Sequence, residues 1–433
     1  MLDAYYRNGM VFLSDLLGKK NGLFSITDEI IKQKYREPVK KLVGHGNIGD
    51  SSTEKEILRL LMKYFEISGK SDEILNVSFF ATKKGRCSFC GNESDVFSNR
   101  PYIFPFERKI DSITSENSRQ RFCKKCGFTI YSAMAYLYQK GNVMFFFDSY
   151  NLENIRKMSI PFIQELRDPS KFNKLKNFGV PTYHPYETIF VTMFEFVKYL
   201  RRKKLINDFK DIISDVRLTM MVGSGQLYTK NYVDGNVLDK ISNFFLTLMD
   251  ESEKKWQKIN DETKNKLRKN LAPEELIFSG FFNYLTLKKG NPSENCRLRE
   301  IFTRELLNKN IDFITLNEIM MERKKENQSL PFHYLFFLTK CMEMFNMEKE
   351  MFERINGLGY ALGSQMKGTN LDTFVWDVYR TRGIEQFYSS LVELQAKLKI
   401  SIDLRHINEY EKGWREAKAI LLNGMLNALY GGA

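Results

Sequence analysis

The sequence predicts an α+β fold: a mixed N-terminal lobe with an inserted four-cysteine module, followed by a C-terminal helical bundle. Three observations support it. Two C-x-x-C pairs interrupt the first third of the chain, strand-like segments follow them, and amphipathic helices dominate from Leu238 onward. We divide the chain into a mainly helical region (1–75), the cysteine module with a flanking helix and strand (76–150), a mixed α/β middle (151–300) and the helical bundle (301–433).

The first region shows two helix signals. A short amphipathic segment, Thr27 to Arg36, stops before Pro38, and Thr53 with Glu56 forms a capping box that opens a second helix. The segment GHGNIG between them matches a dinucleotide-binding pattern, but no clear strand precedes it, so we interpret it as a loop.

The cysteine module contains two knuckles of the same kind. Cys87 and Cys90 form one C-x-x-C pair and Cys123 and Cys126 form the other, and each pair is followed by a glycine, Gly91 or Gly127, suited to a tight turn. Two intervening residues let both sulfur atoms of a pair approach one ion at about 2.3 Å. The four cysteines therefore predict one tetrahedral, structural Zn²⁺ site, and the module is a four-cysteine zinc module.

Two other uses of paired cysteines, a redox motif and disulfide bonds, fit the sequence less well. A redox C-x-x-C motif would not need a duplicate, and no secretory signal precedes the cysteines to suggest disulfides. The 32 residues between the pairs exceed the usual ribbon spacing, which indicates a folded excursion. Four thiolate ligands leave no open position for an activated water, which favours a scaffolding role over hydrolysis.

Basic and aromatic residues are interleaved through the module. Residues 83–128 hold ten basic and five acidic side chains, and the whole chain has a formal net charge of +13. Such a surface suits phosphates and stacked bases, although a small core with a solvated rim would look similar. The nucleic-acid-binding residues predicted here are Lys83, Lys84, Arg86, Arg119, Arg121, Lys124 and Lys125.

The middle region carries strands and a second basic cluster. Val143 to Phe147 indicates a buried strand, Val216 to Val222 with the following QLYTKNYV indicates a hairpin, and Thr188 to Lys204 indicates an apolar helix or a strand and helix. Basic residues at a helix end also complement the helix dipole, so a solvated helix end and a backbone-binding patch both fit. The residues added to the predicted nucleic-acid surface are Arg201, Arg202, Lys203 and Lys204.

The last third predicts a helical bundle. Gly357, Gly359 and Gly363 lie in one long helical segment, a pattern typical of close helix packing.

Composition limits the function classes. A pI of about 9.2 favours RNA or DNA as a partner, with a membrane surface as the second choice. The cysteine usage fits a reducing compartment, and no apolar stretch approaches the roughly 20 residues that span a bilayer. The four histidines belong to no metal or catalytic motif, and no phosphate loop or nucleophile elbow is present. We expect a cytoplasmic binding protein that is not an enzyme.

The order of parts resembles one family. The segments GRCSFCGN, RFCKKCGF, NGLGYALG (Asn356 to Gly363) and EKGWREAKAILLNGML make the chain similar to the large subunit of type I CRISPR surveillance (Cascade) complexes, in the branch with paired CXXC motifs. The resemblance implies a prokaryotic protein that joins a guide-RNA-loaded filament and handle-binding subunits. It also implies binding of target DNA, reading of the protospacer-adjacent motif and recruitment of a separate helicase-nuclease, without cleavage by this subunit. No short motif of the family marks the motif-reading residues.

The resemblance also suggests an internal translation start. In related systems the C-terminal helices resemble a separate small subunit that can be made on its own, and Met320 or Met321 could begin such a product here. Two ordinary core or linker methionines are the alternative.

Two other functions remain open from the sequence. One is a zinc-containing nucleic-acid-binding factor in transcription, replication or RNA processing. The other is a metal-dependent nuclease whose acidic residues meet only in space.

Overall fold

The computed structural model describes most of the chain, with gaps. The chain is mostly helical, with seven short strands among the described residues. The predicted helices at Thr27 to Arg36 and after Thr53, and the GHGNIG loop, lie outside the described residues. The structure describes residues 2–17, 83–98, 121–123, 126, 129, 133, 138–140, 143–159, 161–163, 185–224, 227–233, 235–268, 271–286, 292–326, 334–345, 347–410 and 413–430.

The chain divides into two compact units. The described residues of the first unit fall within Met1–Lys176, Pro181–Ile189 and Glu195–Asp239, and those of the second within Asn177–Val180, Phe190–Phe194 and Lys240–Ala433. The division into four sequence regions stays a prediction.

The first unit contains two antiparallel sheets. The smaller sheet has the order β1-β2-β3 and the larger sheet the order β4-β5-β6-β7. In the larger sheet, Asp148 pairs with Arg217 and Leu218 pairs with Val233. The strands are β1 Lys83–Arg86, β2 Glu93–Ser98, β3 Arg121–Cys123, β4 Tyr138–Lys140, β5 Val143–Ser149, β6 Val216–Ser224 and β7 Leu227–Val233.

Two strand predictions are confirmed in this sheet. The apolar run from Val143 forms β5, and the predicted hairpin forms β6 and β7. The segment predicted as a helix or a strand and helix is one helix, Pro185–Arg202. Its apolar residues recur with a helical period, which decides between the two readings.

The helices of the first unit pack on the larger sheet through aromatic side chains. The rings of Phe147 and Phe196 lie 4.3 Å apart, and Phe196 also contacts Phe162 and Phe209 at 5.0 and 5.1 Å. Offset and edge-on ring contacts of this kind add to the free energy of apolar burial. The helices are α1 Leu2–Leu17, α2 Leu152–Asn154 with a π-helical turn Ile155–Ser159, α3 Pro185–Arg202, which has residues in both units, and α4 Ile206–Ile212 with a 3₁₀ turn Ile213–Asp215.

Helix α1 is fixed to β5 by polar contacts. Arg7 forms a two-bond ion pair with the buried carboxylate of Asp148, with Nε to Oδ1 at 2.8 Å, and Asn8 Nδ2 donates to Phe147 O at 3.1 Å. Gly9 allows close approach to a further segment, because a Cβ there would lie 1.7 Å from Thr129 O. Helix α1 is therefore held by residues more than 100 positions later in the chain.

The second unit is helical throughout its described residues, as the sequence predicts for the C-terminal third. Its core is rich in phenylalanine: Phe194 stacks on Phe278 at 4.1 Å, and Phe281 stacks on Phe337 at 3.9 Å. The helices are α5 Gly235–Lys258, α6 Asp261–Arg268, α7 Leu276–Tyr284 after a 3₁₀ turn Pro273–Glu275, α8 Pro292–Leu307, α9 Phe313–Lys325, α10 Tyr334–Phe345, α11 Lys349–Met366, α12 Phe374–Arg380, α13 Ile384–Leu398, α14 Arg405–Asn408 and α15 Trp414–Tyr430.

Glycines allow the backbones of helices α11 and α15 to approach each other closely. A Cβ at Gly359 would lie 2.1 Å from Leu421 O, and one at Gly363 would lie 2.5 Å from Met425 O. On α15, a Cβ at Gly424 would lie 2.2 Å from Asn356 O. The predicted role in close packing is confirmed for Gly359 and Gly363, whereas Gly357 faces open space.

The two methionines proposed as internal starts lie in α9. Met320 and Met321 are both buried in the core of the second unit, and α9 begins at the capping residue Asp312, whose carboxylate accepts from Thr315 N at 2.9 Å. A product that began at either methionine would lack the first half of this helix. The internal start stays a prediction.

None of the helices in the described ranges combines the length and the apolar character needed to cross a membrane.

Candidate metal centre

The first knuckle is the turn between β1 and β2. Arg86 at the end of β1 pairs with Glu93 at the start of β2. Between them Cys87 N donates to Asn92 O at 2.9 Å, and Gly91 N donates to Cys87 O at 3.0 Å. Gly91 has a φ of +72°, in the left-handed region that glycine adopts without strain. The predicted use of Gly91 is confirmed, and Gly127 lies outside the described residues.

The second knuckle is brought beside the first by sheet pairing. Strand β3 pairs with β2, with Cys123 opposite Val96. Cys123 therefore lies at the sheet end that also carries the first knuckle, and Cys126 follows it as a fully buried residue. The long excursion between the pairs returns the chain to the same sheet.

The four sulfur atoms form one group. All four lie within 4.8 Å of one another, and the Sγ atoms of Cys90 and Cys123 lie 3.8 Å apart. A tetrahedral zinc site with Zn–S bonds of about 2.3 Å requires S···S separations of about 3.8 Å. The cysteines carry no disulfide bond. The group therefore fits a divalent metal such as zinc, with all four tetrahedral positions filled by cysteine.

Backbone N–H groups point at the sulfur atoms. Cys123 N lies 3.3 Å from the Sγ of Cys87, and Phe89 N lies 3.5 Å from the same atom. Cys126 N lies 3.5 Å from the Sγ of Cys123. Donors in these positions stabilise the thiolate form, which is the form that binds metal.

Burial and mutual hydrogen bonds shift the pKa values of the thiols. Hydrogen bonding with Cys126 lowers the pKa of Cys123 to about 5, while burial acts in the opposite direction. The pKa of Cys126 is raised, first by its hydrogen bond to Cys123 and then by burial. Burial is also the main cause of the raised pKa of Cys90. Neighbouring thiolates repel one another, so a bound dication would allow all four cysteines to ionise together.

An aromatic pair covers the group. Tyr6 of α1 stacks on Phe89 of the first knuckle with ring centroids 5.3 Å apart, and both side chains pack against the cysteines. Burial raises the pKa of the Tyr6 hydroxyl, and its charge and hydrogen-bond interactions with Cys126 raise it further. No sequence pattern points to Tyr6, which lies more than 80 residues before the first knuckle.

No protein-family model, curated protein or solved structure matches this chain. The cysteine group is therefore interpreted as a candidate metal centre from its own geometry and ligand chemistry.

Four residues of the first predicted nucleic-acid-binding set lie on the strands of the small sheet. Lys84 and Arg86 are exposed on β1, and Arg86 Nε donates to Gly91 O at 2.8 Å, so this side chain also braces the knuckle. Lys83 belongs to β1 and Arg121 to β3. Arg119, Lys124 and Lys125 lie outside the described residues.

The second set forms the end of α3. Lys203 N donates to Tyr199 O at 3.0 Å and Leu205 N donates to Leu200 O at 2.8 Å, while Lys204 takes a φ of +60°. This is a helix C-terminal turn of the Schellman type. Arg202, Lys203 and Lys204 are exposed and Arg201 is half-buried. The cations complement the helix dipole, and the side chains of Lys203 and Lys204 are exposed to solvent.

Proposed function

We propose that Cys87, Cys90, Cys123 and Cys126 hold a structural zinc ion. The observation that carries this proposal is the clustering of all four sulfur atoms within 4.8 Å, on two turns joined by one sheet. Four cysteine ligands close the coordination shell, so the ion would maintain the shape of the module and activate no water. The chain's own contribution is to hold the sulfur atoms in place and to shield them with Tyr6 and Phe89.

We further propose that the module presents a nucleic-acid-binding surface. Strand β1 carries exposed Lys84 and Arg86 and leads directly into the first knuckle, so metal binding fixes the position of these cations. The net charge of +13 supports a polyanionic partner for the whole chain.

The specific role we propose is the non-catalytic large subunit of an RNA-guided type I CRISPR antiviral complex. The paired CXXC motifs and the helical C-terminal third support it. In this role the protein would bind guide RNA and target DNA, read the protospacer-adjacent motif and recruit the helicase-nuclease. Sequence specificity would come from guide pairing, and the protein would contribute backbone contacts.

A salt titration tests the binding surface. Lys84→Gln removes an exposed cation without touching the knuckle, whereas Arg86 also braces Gly91. The slope of log K against log salt for duplex DNA should flatten by about 0.9 if Lys84 contacts one phosphate. Lys266→Gln, on an exposed lysine of α6, is the matched control and should leave the slope unchanged. An unaltered slope in Lys84→Gln would show that Lys84 is not part of the nucleic-acid-binding surface.

Isolation of the native complex tests the role. A tagged chain should co-purify with filament and handle-binding subunits and with short RNAs that share a repeat-derived end. A C-terminal product starting near Met320 or Met321 would appear in the same mass spectra. Polymerase or ribosomal partners without such RNAs would support a general zinc-containing factor. Magnesium-dependent cleavage, abolished by one acidic substitution, would support a nuclease.

A further inference from the structure

Tyr150 is a large, solvent-exposed aromatic residue at the end of a buried strand. It follows directly after Ser149, the last residue of β5, and is 68% exposed. Phe146 and Phe147, a few positions earlier on the same strand, are both buried. The core therefore ends abruptly at Tyr150, and the ring is presented at the surface of the first unit.

The backbone that carries this ring is held in place. The carboxylate of Asp215 accepts a hydrogen bond from the backbone N–H group of Asn151 at 3.2 Å. It also accepts from the Ser149 hydroxyl and from Asn154 Nδ2, the latter at 3.2 Å. Three donors converge on one carboxylate and hold the bend that carries Tyr150. A preorganised side chain loses little conformational freedom when a ligand binds.

Two arginines lie over the ring. The guanidinium carbon of Arg7 is 4.7 Å from the ring centroid and that of Arg217 is 5.6 Å from it. Arg7 is neutralised by its ion pair with Asp148. Arg217 is exposed, and within the described ranges no acidic side chain forms an ion pair with it. An aromatic face, a fixed guanidinium plane and an available cation therefore meet at one place.

This combination matches single-stranded nucleic acid. An unpaired base stacks on exposed aromatic rings and on guanidinium planes, while the neighbouring phosphate needs a cation. Bases within a duplex are already stacked and would not reach a single tyrosine. We propose that Tyr150 is a stacking platform for one unpaired base of a single-stranded nucleic acid, with Arg217 contacting the adjoining phosphate. The inference rests on the proposed nucleic-acid-binding function. It specifies that the bound nucleic acid is single-stranded and that Tyr150 and Arg217 contact it.

Binding of a fluorescent single-stranded oligothymidine to the full-length, metal-loaded protein tests the platform. Base stacking on an aromatic side chain contributes about 1–3 kcal/mol, so Tyr150→Ala should weaken binding about 5- to 150-fold. Tyr150→Phe keeps the ring and should bind within about twofold of the wild-type protein. Tyr360→Ala, at a tyrosine of α11 that is 49% exposed, is the matched control and should bind as the wild type does.

An abasic oligonucleotide of the same length separates stacking from charge. It keeps every phosphate and has no base to stack, so Tyr150→Ala and the wild-type protein should bind it equally. Arg217→Gln should instead weaken binding of both oligonucleotides and flatten the salt slope by about 0.7 per lost single-strand contact. Arg382→Gln, at another exposed arginine, should leave that slope unchanged.

The outcomes distinguish this proposal from the function on which it rests. Wild-type protein that binds no nucleic acid would contradict both. Wild-type protein that binds oligothymidine with Tyr150→Ala unchanged would overturn the platform alone. A loss in Tyr150→Ala that also appears with the abasic strand would overturn stacking as its cause. Circular dichroism of each variant checks that the fold is retained.

Discussion

At the residue scale, the proposed metal site needs all four thiolates, and Cys123 is the most informative one to replace. Cys123 is the cysteine whose pKa is lowered to about 5, and it belongs both to a strand and to a knuckle. Cys123→Ser should lose the metal and unfold the small sheet, because the binding energy of about 10–16 kcal/mol for a structural zinc is also folding energy. Elemental analysis and circular dichroism measure the two effects.

A buried cysteine outside the cluster provides the control. Cys341→Ala removes a fully buried thiol from α10, which costs packing free energy but no metal. It should retain the zinc content of the wild-type protein. Retained zinc with an unchanged fold in Cys123→Ser would contradict the four-thiolate site.

Asp215 makes a pH-dependent contribution to stability. Burial alone would raise the pKa of Asp215, but hydrogen bonds from Ser149, Asn151, Asn154 and Tyr150 lower it below its ordinary value of 3.8. The carboxylate therefore stabilises the folded state above that value, and this contribution disappears as the pH falls through the lower, folded-state pKa. Asp215→Asn should lower the melting temperature most near neutral pH.

Melting temperatures between about pH 6 and pH 2 measure this effect. The difference between the wild-type protein and Asp215→Asn should narrow once the pH falls below about 3.8. Asp261→Asn, at a carboxylate whose side chain is 92% exposed, should show a small difference at every pH. A melting-temperature difference for Asp215→Asn that does not change with pH would mean that the substitution destabilises the protein through packing and not through loss of charge.

The clustering of the four cysteines could be predicted from the local sequence, whereas the surroundings of Tyr6 and Tyr150 could not. Cysteines at C-x-x-C spacing carry their ligand geometry in four consecutive positions, so a local pattern is enough. Tyr6 contacts the metal centre, and Arg7 lies over Tyr150, only because the fold joins segments that are far apart in the sequence. A tyrosine pair at Tyr5 and Tyr6 is ordinary on an amphipathic helix, and one member is core while the other covers a site.

At the element scale, the contact between α11 and α15 leaves no room for added volume at its glycines. A Cβ at Gly424 would lie 2.2 Å from Asn356 O and 2.8 Å from Tyr360 N, and both are backbone atoms that cannot move independently. Gly424→Ala should therefore destabilise the second unit by about 1–3 kcal/mol or more, despite the better helix propensity of alanine. Urea denaturation monitored by helical circular dichroism measures the change.

Gly357→Ala is the matched control on the facing helix. Nothing lies within 4 Å of a Cβ at Gly357, so alanine should stabilise the helix by up to about 1 kcal/mol. Opposite signs for the two substitutions would separate packing from propensity. Equal effects would mean that the two helices separate easily enough to accept a methyl group.

The elements show where periodicity was sufficient. The apolar run of β5 is local and was predicted correctly, whereas the segment of α3 was predicted only as a helix or a strand and helix. The sequence predicted close helix packing for the three glycines as a group, but it does not distinguish Gly357, Gly359 and Gly363 from one another. Only the position of α15 makes two of them indispensable and leaves the third free.

At the whole-molecule scale, metal dependence should be confined to one unit. All four cysteines belong to the first unit, and the second unit is built around stacked phenylalanines with no member of the cysteine group. Removal of metal by a strong chelator should abolish the thermal transition of the first unit and leave that of the second unchanged. Differential scanning calorimetry before and after chelation measures both.

The assignment of the transitions has its own check. Gly424→Ala should lower the transition that survives chelation, because Gly424 lies in the second unit. Loss of both transitions on chelation would show that the second unit depends on the first for its stability.

The sequence predicted a helical last third and a basic charge balance because both are sums over many residues. The two-unit division follows long-range packing and has no local signature.

The anchoring of α1 has a consequence for biosynthesis. Arg7 and its ion-pair partner Asp148 are 141 residues apart in the sequence. A ribosome that adds about 5–20 residues per second therefore needs about 7–28 s after Arg7 to synthesise Asp148. During that interval the apolar side of the helix, including Tyr5, has none of its native neighbours from β5. A nascent chain of this protein should therefore be a client of ribosome-associated chaperones until Asp148 emerges.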